Sequence, residues 1–135
     1  MKDTQQAIDI VEDLFDALRH RDTDRALSLL DERVVWHNVG LPKVRGITNV
    51  GKFLALLAKP TFGFDVTMHN IAADGNIVLT ERTDVLIWRR HRIEFWVCGT
   101  FELRDGRVAV WRDYFDTIDF LKGLVRGAFR ALTGR

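Results

Sequence analysis

Apolar residues near the N-terminus recur at helical spacing: Ile8, Val11, Leu14, Phe15 and Leu18 fall on one face. Asp3 with Gln6 reads as a capping pair for the start of this helix. Ala26, Leu27, Leu29 and Leu30 predict a second, short helix opened by Asp22 or Thr23. Arg33 to Val39 is β-branched and aromatic and predicts a strand, which Gly40 and Pro42 end. A third helix is expected from about Thr48 to Ala58, carrying Val50, Phe53, Leu54 and Leu57, with Pro60 just beyond. From Phe64 the pattern changes to a meander of strands: Phe64–Ala72, Asn76–Trp88, Arg92–Leu103 and Arg107–Phe115. Asp74-Gly75-Asn76, the Arg89–His91 cluster and Arg104-Asp105-Gly106-Arg107 are the turns between them. After Asp116 the apolar residues Leu121, Leu124, Val125, Ala128 and Phe129 return to helical spacing.

Helices, a strand, a helix and then a run of strands argue an α+β fold, with helices packed on one face of a strongly curved, mixed but mainly antiparallel sheet. A bent sheet closed by the N-terminal and other helices forms a cone with a deep apolar pocket. The 135 residues fit a single domain, and 47% hydrophobic residues suffice for a core with a pocket inside it.

Alternation along the strands picks out the candidate chemistry. In Asn76–Trp88, Val78, Thr80, Arg82, Asp84, Leu86 and Trp88 share a face. Both faces of this strand are largely apolar, so it is expected to lie centrally and be covered on both sides. That places Arg82 and Asp84 toward the pocket. In the last strand Ala109, Trp111, Asp113 and Phe115 share a face, and Val108, Val110, Arg112 and Tyr114 the other, so Asp113 is the one carboxylate on an apolar, aromatic face. Periodicity alone leaves a structural ion pair as the competing account, because buried charges are paired whether or not they catalyse. In the early strand Trp36 and Asn38 share a face with Val34, and His37 points away.

Composition removes other classes. The net charge of +1 gives no strong field for nucleic acid or an acidic membrane, and the Arg89, Arg90, His91, Arg92 cluster reads as a solvated turn. Cys98 is the single cysteine and reads as a small packed residue. His20, His37, His69 and His91 have no metal-ligand spacing, so no metal site is expected. No phosphate loop, nucleophile elbow or dinucleotide fingerprint is present. The first residues hold no apolar signal run and no stretch reaches the length of a membrane span, so a cytoplasmic location is expected.

Three segments resemble limonene-1,2-epoxide hydrolase and its relatives: Trp36-His37-Asn38, Leu79-Thr80-Glu81-Arg82-Thr83-Asp84-Val85-Leu86, and Trp111-Arg112-Asp113-Tyr114-Phe115-Asp116. The resemblance covers roughly residues 5–120. It implies the cone-shaped domain shared with nuclear transport factor 2, SnoaL-like proteins and ketosteroid isomerase, a homodimer, and chemistry with no metal or organic cofactor. It implies Asp113 as the base that activates water, Asp84 as the acid that protonates the epoxide oxygen, Arg82 between them and Asn38 as the amide that holds the water. Trp36 stands where that family has a water-binding tyrosine; an indole donates but cannot accept. The pocket is expected to be lined by Val78, Leu86, Trp88, Phe95, Val97, Trp111 and Phe115, and so to take a lipophilic epoxide. Two readings stand beside this one: an isomerase or polyketide cyclase of the same fold, and a small-molecule binder in which Asp84, Arg82 and Asp113 only hold the fold together.

Overall fold

The structure, a computed structural model, describes residues 2–133. In chain order its elements are α1 (Lys2–Arg19), α2 (Thr23–Ser28), β1 (Leu30–Asn38), β2 (Val44–Arg45), α3 (Ile47–Leu57), β3 (Phe62–Asp74), β4 (Ile77–Trp88), β5 (His91–Arg104), β6 (Arg107–Phe115) and α4 (Thr117–Thr133). The fold is α+β, as expected. Strand β2 was not visible in the sequence, because two residues are too few to show alternation. Asp3 is not a cap: it lies within the first turn of α1, where its negative charge suits the helix dipole. Asp22 does cap α2, accepting a bond from the Arg25 backbone N–H at 3.1 Å.

The strands form one open six-stranded sheet in the order β2-β1-β6-β5-β4-β3. All neighbours are antiparallel except β1 and β6, which run parallel, with Trp36 opposite Trp111 and Asn38 opposite Asp113. This pairing brings residues far apart in sequence to one end of the sheet. Register shifts interrupt β3 near Met68, β1 between Leu30 and Val35, and β6 at Ala109. Such bulges bend a strand and raise its twist, which curls the sheet around its helix-covered face.

The core lies between that face and α1, α2 and α3. Val11, Leu14 and Phe15 of α1 meet Leu30, Val34, Val78, Phe101, Val108 and Trp111 of the sheet. Val108 shares the inner face with Trp111, against the expected alternation. Val110 opposes Glu102 while Val108 opposes Leu103, so Ala109 is the extra residue of a bulge and the parity resets there.

Strand β4 is not central but stands one place from the β3 edge, and its outer face is covered only in part: Ile77 and Leu79 there are exposed, while Val85 is buried. Cys98 is also exposed rather than packed, because its neighbours Val97 and Gly99 take the inward positions of β5. Arg89 and Arg90 form an exposed turn. No helix among the described residues is long and apolar enough to cross a membrane.

Candidate active site

Arg82 is fully buried, and every charged group it touches is a carboxylate. Its Nε donates to Asp84 Oδ1 at 2.9 Å and its Nη2 to Asp84 Oδ2 at 2.9 Å, the bidentate fork that a guanidinium forms with a carboxylate. The same Nη2 donates to Asp113 Oδ1 at 3.0 Å. Strand alternation sets Arg82 and Asp84 on one face of β4, and β5 separates them from Asp113 on β6. The three side chains therefore meet across β5 at Gly99, which pairs with Thr80 on one side and Asp113 on the other.

Gly99 is required by that meeting. A Cβ there would stand 2.6 Å from Arg82 Nη1, 2.8 Å from Thr80 Oγ1 and 2.9 Å from Asp113 Oδ1. An isolated glycine inside a strand signals such a close approach, and this one was readable in the sequence. Two further partners were missed. Thr80, on the Arg82 face of β4, accepts from Nη1 at 3.1 Å. Phe15 of α1 lies under the guanidinium, whose central carbon is 4.4 Å from the ring centroid. Only the packing of α1 against the sheet reveals it.

Asp113 is buried, and burial pushes its carboxyl up to about 6. The Arg82 charge opposes that rise, the Asp84 charge adds to it, and bonds from Arg82 and Trp111 oppose it. The Trp111 indole N–H donates to Asp113 Oδ2 at 3.1 Å, so each oxygen of Asp113 has one protein donor and lone-pair capacity left.

Asp84, Asp113, Asn38 and Trp36 all line one cavity of about 250 Å³. Of the residues expected in its wall, Leu86, Phe95, Val97, Trp111 and Phe115 are there. Val78 and Trp88 are not. Val78 lies too far toward the narrow end of β4 and is sealed into the core. Trp88 lies at the other end, past the rim, where its ring stacks on His91 and carries the Arg89 guanidinium. The rest of the wall comes from helices and loops, which strand alternation cannot reach: Leu18 of α1, Leu41, Phe53, Leu56 and Leu57 around α3, and Phe120 of α4, together with Phe64 of β3. Trp36 stacks on Trp111 with centroids 4.8 Å apart, and its indole N–H is buried with no acceptor among the described residues. His69 bonds to Thr83 and stacks on Trp96 on the outer face, away from the cavity. Among the described residues no group of three or more His, Cys, Asp or Glu is placed to hold a metal ion.

The site thus joins an acid–base pair, bridged by a buried cation, to an apolar chamber. Two carboxylates and one guanidinium carry a net charge of −1, which becomes zero when the pair holds one proton. A pair in that state has one carboxyl to give a proton and one carboxylate to take one.

Comparison with known proteins follows the same line. The family model of the limonene-1,2-epoxide hydrolase catalytic domain matches residues 5–126. The chain is 46% identical over 117 residues to epoxide hydrolase EphG of Mycobacterium tuberculosis, covering 87% of this chain and 78% of that one. A solved structure of an LEH-like epoxide hydrolase from M. tuberculosis superposes with a TM-score of 0.89 at 43% identity, covering 98% of each chain. A SnoaL-like polyketide cyclase structure from Jannaschia sp. CCS1 superposes with a TM-score of 0.77 at 18% identity, covering 91% of this chain and 94% of that one; that likeness is one of fold.

Proposed function

The chain belongs to the limonene-1,2-epoxide hydrolase family and is an epoxide hydrolase, and from that premise we propose that it adds water to a lipophilic epoxide in one general acid–base step, giving a vicinal diol with no covalent intermediate. One observation carries the reading: a fully buried Arg82 ties together two carboxylates that both line an otherwise apolar cavity.

Asp113 is the base. It takes a proton from water as the water oxygen forms its bond to an epoxide carbon. Asp84 is the acid, and gives its proton to the epoxide oxygen as the C–O bond breaks. One proton thus enters the pair as another leaves it, and Arg82, bonded to both carboxyls, offers a route for restoring the starting arrangement. Asn38, opposite Asp113 in the sheet and in the same cavity, holds the water. Trp36 stands beside it with one N–H to give, and a buried donor left unpaired costs about 1–3 kcal/mol, which favours an oxygen acceptor in the bound state. The apolar wall takes the rest of the substrate.

Asp113→Asn and Asp84→Asn each leave one ionised carboxylate opposite Arg82 and keep the size of the side chain, at the loss of one accepted hydrogen bond. Each is expected to lose diol formation from limonene oxide or cyclohexene oxide while keeping the parental circular dichroism spectrum. Near-parental turnover by either variant sinks the assignment.

A second reading exchanges the two acids. It is favoured by the raised pKa of Asp113 and by the bidentate hold of Arg82 on Asp84. An epoxide whose departing oxygen is stabilised by electron-withdrawing groups needs less help from an acid. The variant of the true acid recovers part of its activity on such a substrate, and the variant of the base does not.

A homodimer is the assembly this reading carries. Leu79, Trp96 and Tyr114 offer exposed apolar surface on the outer face of β4, β5 and β6. Sedimentation velocity that finds only monomer at micromolar concentration contradicts it.

A further inference from the structure

Helix α4 is packed the reverse of an ordinary surface helix. Gly123 and Gly127 are its buried positions among the described side chains, and Ile93 of β5 lies against both: a Cβ added at Gly123 would meet it at 3.0 Å and one at Gly127 at 3.4 Å. The large apolar side chains point the other way. Ile118 is 66% exposed, Val125 69%, Phe129 67% and Leu132 88%. Leu121, Val125, Phe129 and Leu132 repeat at helical spacing and form one outward stripe. Lys122, Arg126 and Arg130, all exposed, form the adjoining row at intervals of four residues. From Phe120 to Thr133 the sequence has no Asp or Glu.

We propose that α4 is a docking surface for an anionic lipid membrane, which it enters with its apolar stripe while Lys122, Arg126 and Arg130 bind the headgroups. A basic amphipathic helix with a large apolar face is the form that lies in a membrane interface. Charge argues against a second copy as the occupant. Two α4 helices related by a two-fold axis and packed antiparallel on their apolar stripes bring both cationic rows to the same edge, with no carboxylate between Phe120 and Thr133 to compensate. Anionic headgroups complement that row. The net charge of +1 for the whole chain hides this local asymmetry.

Position supplies the second argument. Phe120 of α4 lines the cavity that holds Asp84 and Asp113, and so do Leu41, Phe53 and Leu56, which are themselves exposed. The cavity opening is thus rimmed by bare apolar side chains, and α4 adds Phe120 to its wall. A lipophilic epoxide dissolved in the bilayer passes from lipid to cavity without crossing water. That delivery step rests on the proposed function; the docking does not.

Co-sedimentation with vesicles tests it, using the full chain. The parent is expected to partition onto vesicles of phosphatidylglycerol with phosphatidylcholine, to leave them as salt is raised, and to ignore pure phosphatidylcholine. Each of Lys122→Gln, Arg126→Gln and Arg130→Gln weakens partitioning about five-fold, the factor equivalent to ~1 kcal/mol per basic residue at an anionic surface. Val125→Glu with Phe129→Glu abolishes it. All these variants keep the parental circular dichroism spectrum and the parental rate on cyclohexene oxide in solution. A parent that stays in the supernatant, binds neutral vesicles equally, or still binds after the double glutamate substitution overturns the proposal. So does a double variant that dissociates to monomer when the parent ignores vesicles, since a second copy then covers the stripe. A chain that docks but opens no epoxide refutes the proposed function and leaves the docking intact.

Discussion

Asp113 holds a proton in the folded chain at pH values where an ordinary carboxyl has lost it. Its pKa of about 6 lies above the usual 3.8 because burial penalises the charged form. The stability this group contributes is full below the usual value and is lost as pH rises through about 6. The loss amounts to roughly 3 kcal/mol for a group acting alone. Asp113→Asn has no such proton to lose. The melting midpoint of the variant, measured relative to the parent, is therefore expected to rise as pH is taken from about 4 to about 7. A difference that stays flat over that range contradicts the raised pKa. In the parent, a base with this pKa gives kcat/KM an acid limb with its midpoint near 6. Removing the cation acts in the opposite sense. Arg82→Gln leaves two buried carboxyls without their partner, and is expected to destabilise the fold by about 3–5 kcal/mol in a denaturant titration. A variant as stable as the parent denies the pair its dependence on Arg82.

At the scale of elements, the site depends on how closely three strands approach. Strand β5 runs between the carboxylates, and Gly99 is its point of passage beneath Arg82. The Gly99→Ala methyl forces the guanidinium, Thr80 or Asp113 aside. The expected cost is about 1–3 kcal/mol of stability, with a fall in kcat/KM of about a hundred-fold if the carboxyls move by about 1 Å. Denaturant midpoints and steady-state kinetics check the two together, and an unaffected kcat/KM means that the close approach does not matter to the reaction. Period-two alternation made Arg82, Asp84 and Asp113 legible, because each strand runs unbroken through its charged residue. It failed for Val108, where a bulge resets the parity. It also named Val78 and Trp88 as pocket residues, because a face is a line of positions and says nothing of depth along the strand. Phe15, which lies under the guanidinium, belongs to an α1 packing geometry that no single segment displays, whereas Thr80 stands on the Arg82 face of β4, where alternation could have named it.

For the whole molecule, the parallel pairing of β1 with β6 makes the site one unit. It joins Asn38 to Asp113, while α1, α3 and α4 complete the apolar wall that the strands begin. The chain order of elements implied the fold class and the meander from β3 to β6, but not that β1 lies parallel beside β6. The matching motifs carried the family where periodicity left a structural ion pair standing. On the proposed mechanism, water attacks the epoxide directly and no carboxylate becomes an ester. A single turnover in water labelled with heavy oxygen, with enzyme in excess over cyclohexene oxide, tests that most directly. The label is expected in the diol and in no peptide of the digested protein. Label found in the side chain of Asp84 or Asp113, with unlabelled diol, contradicts the account.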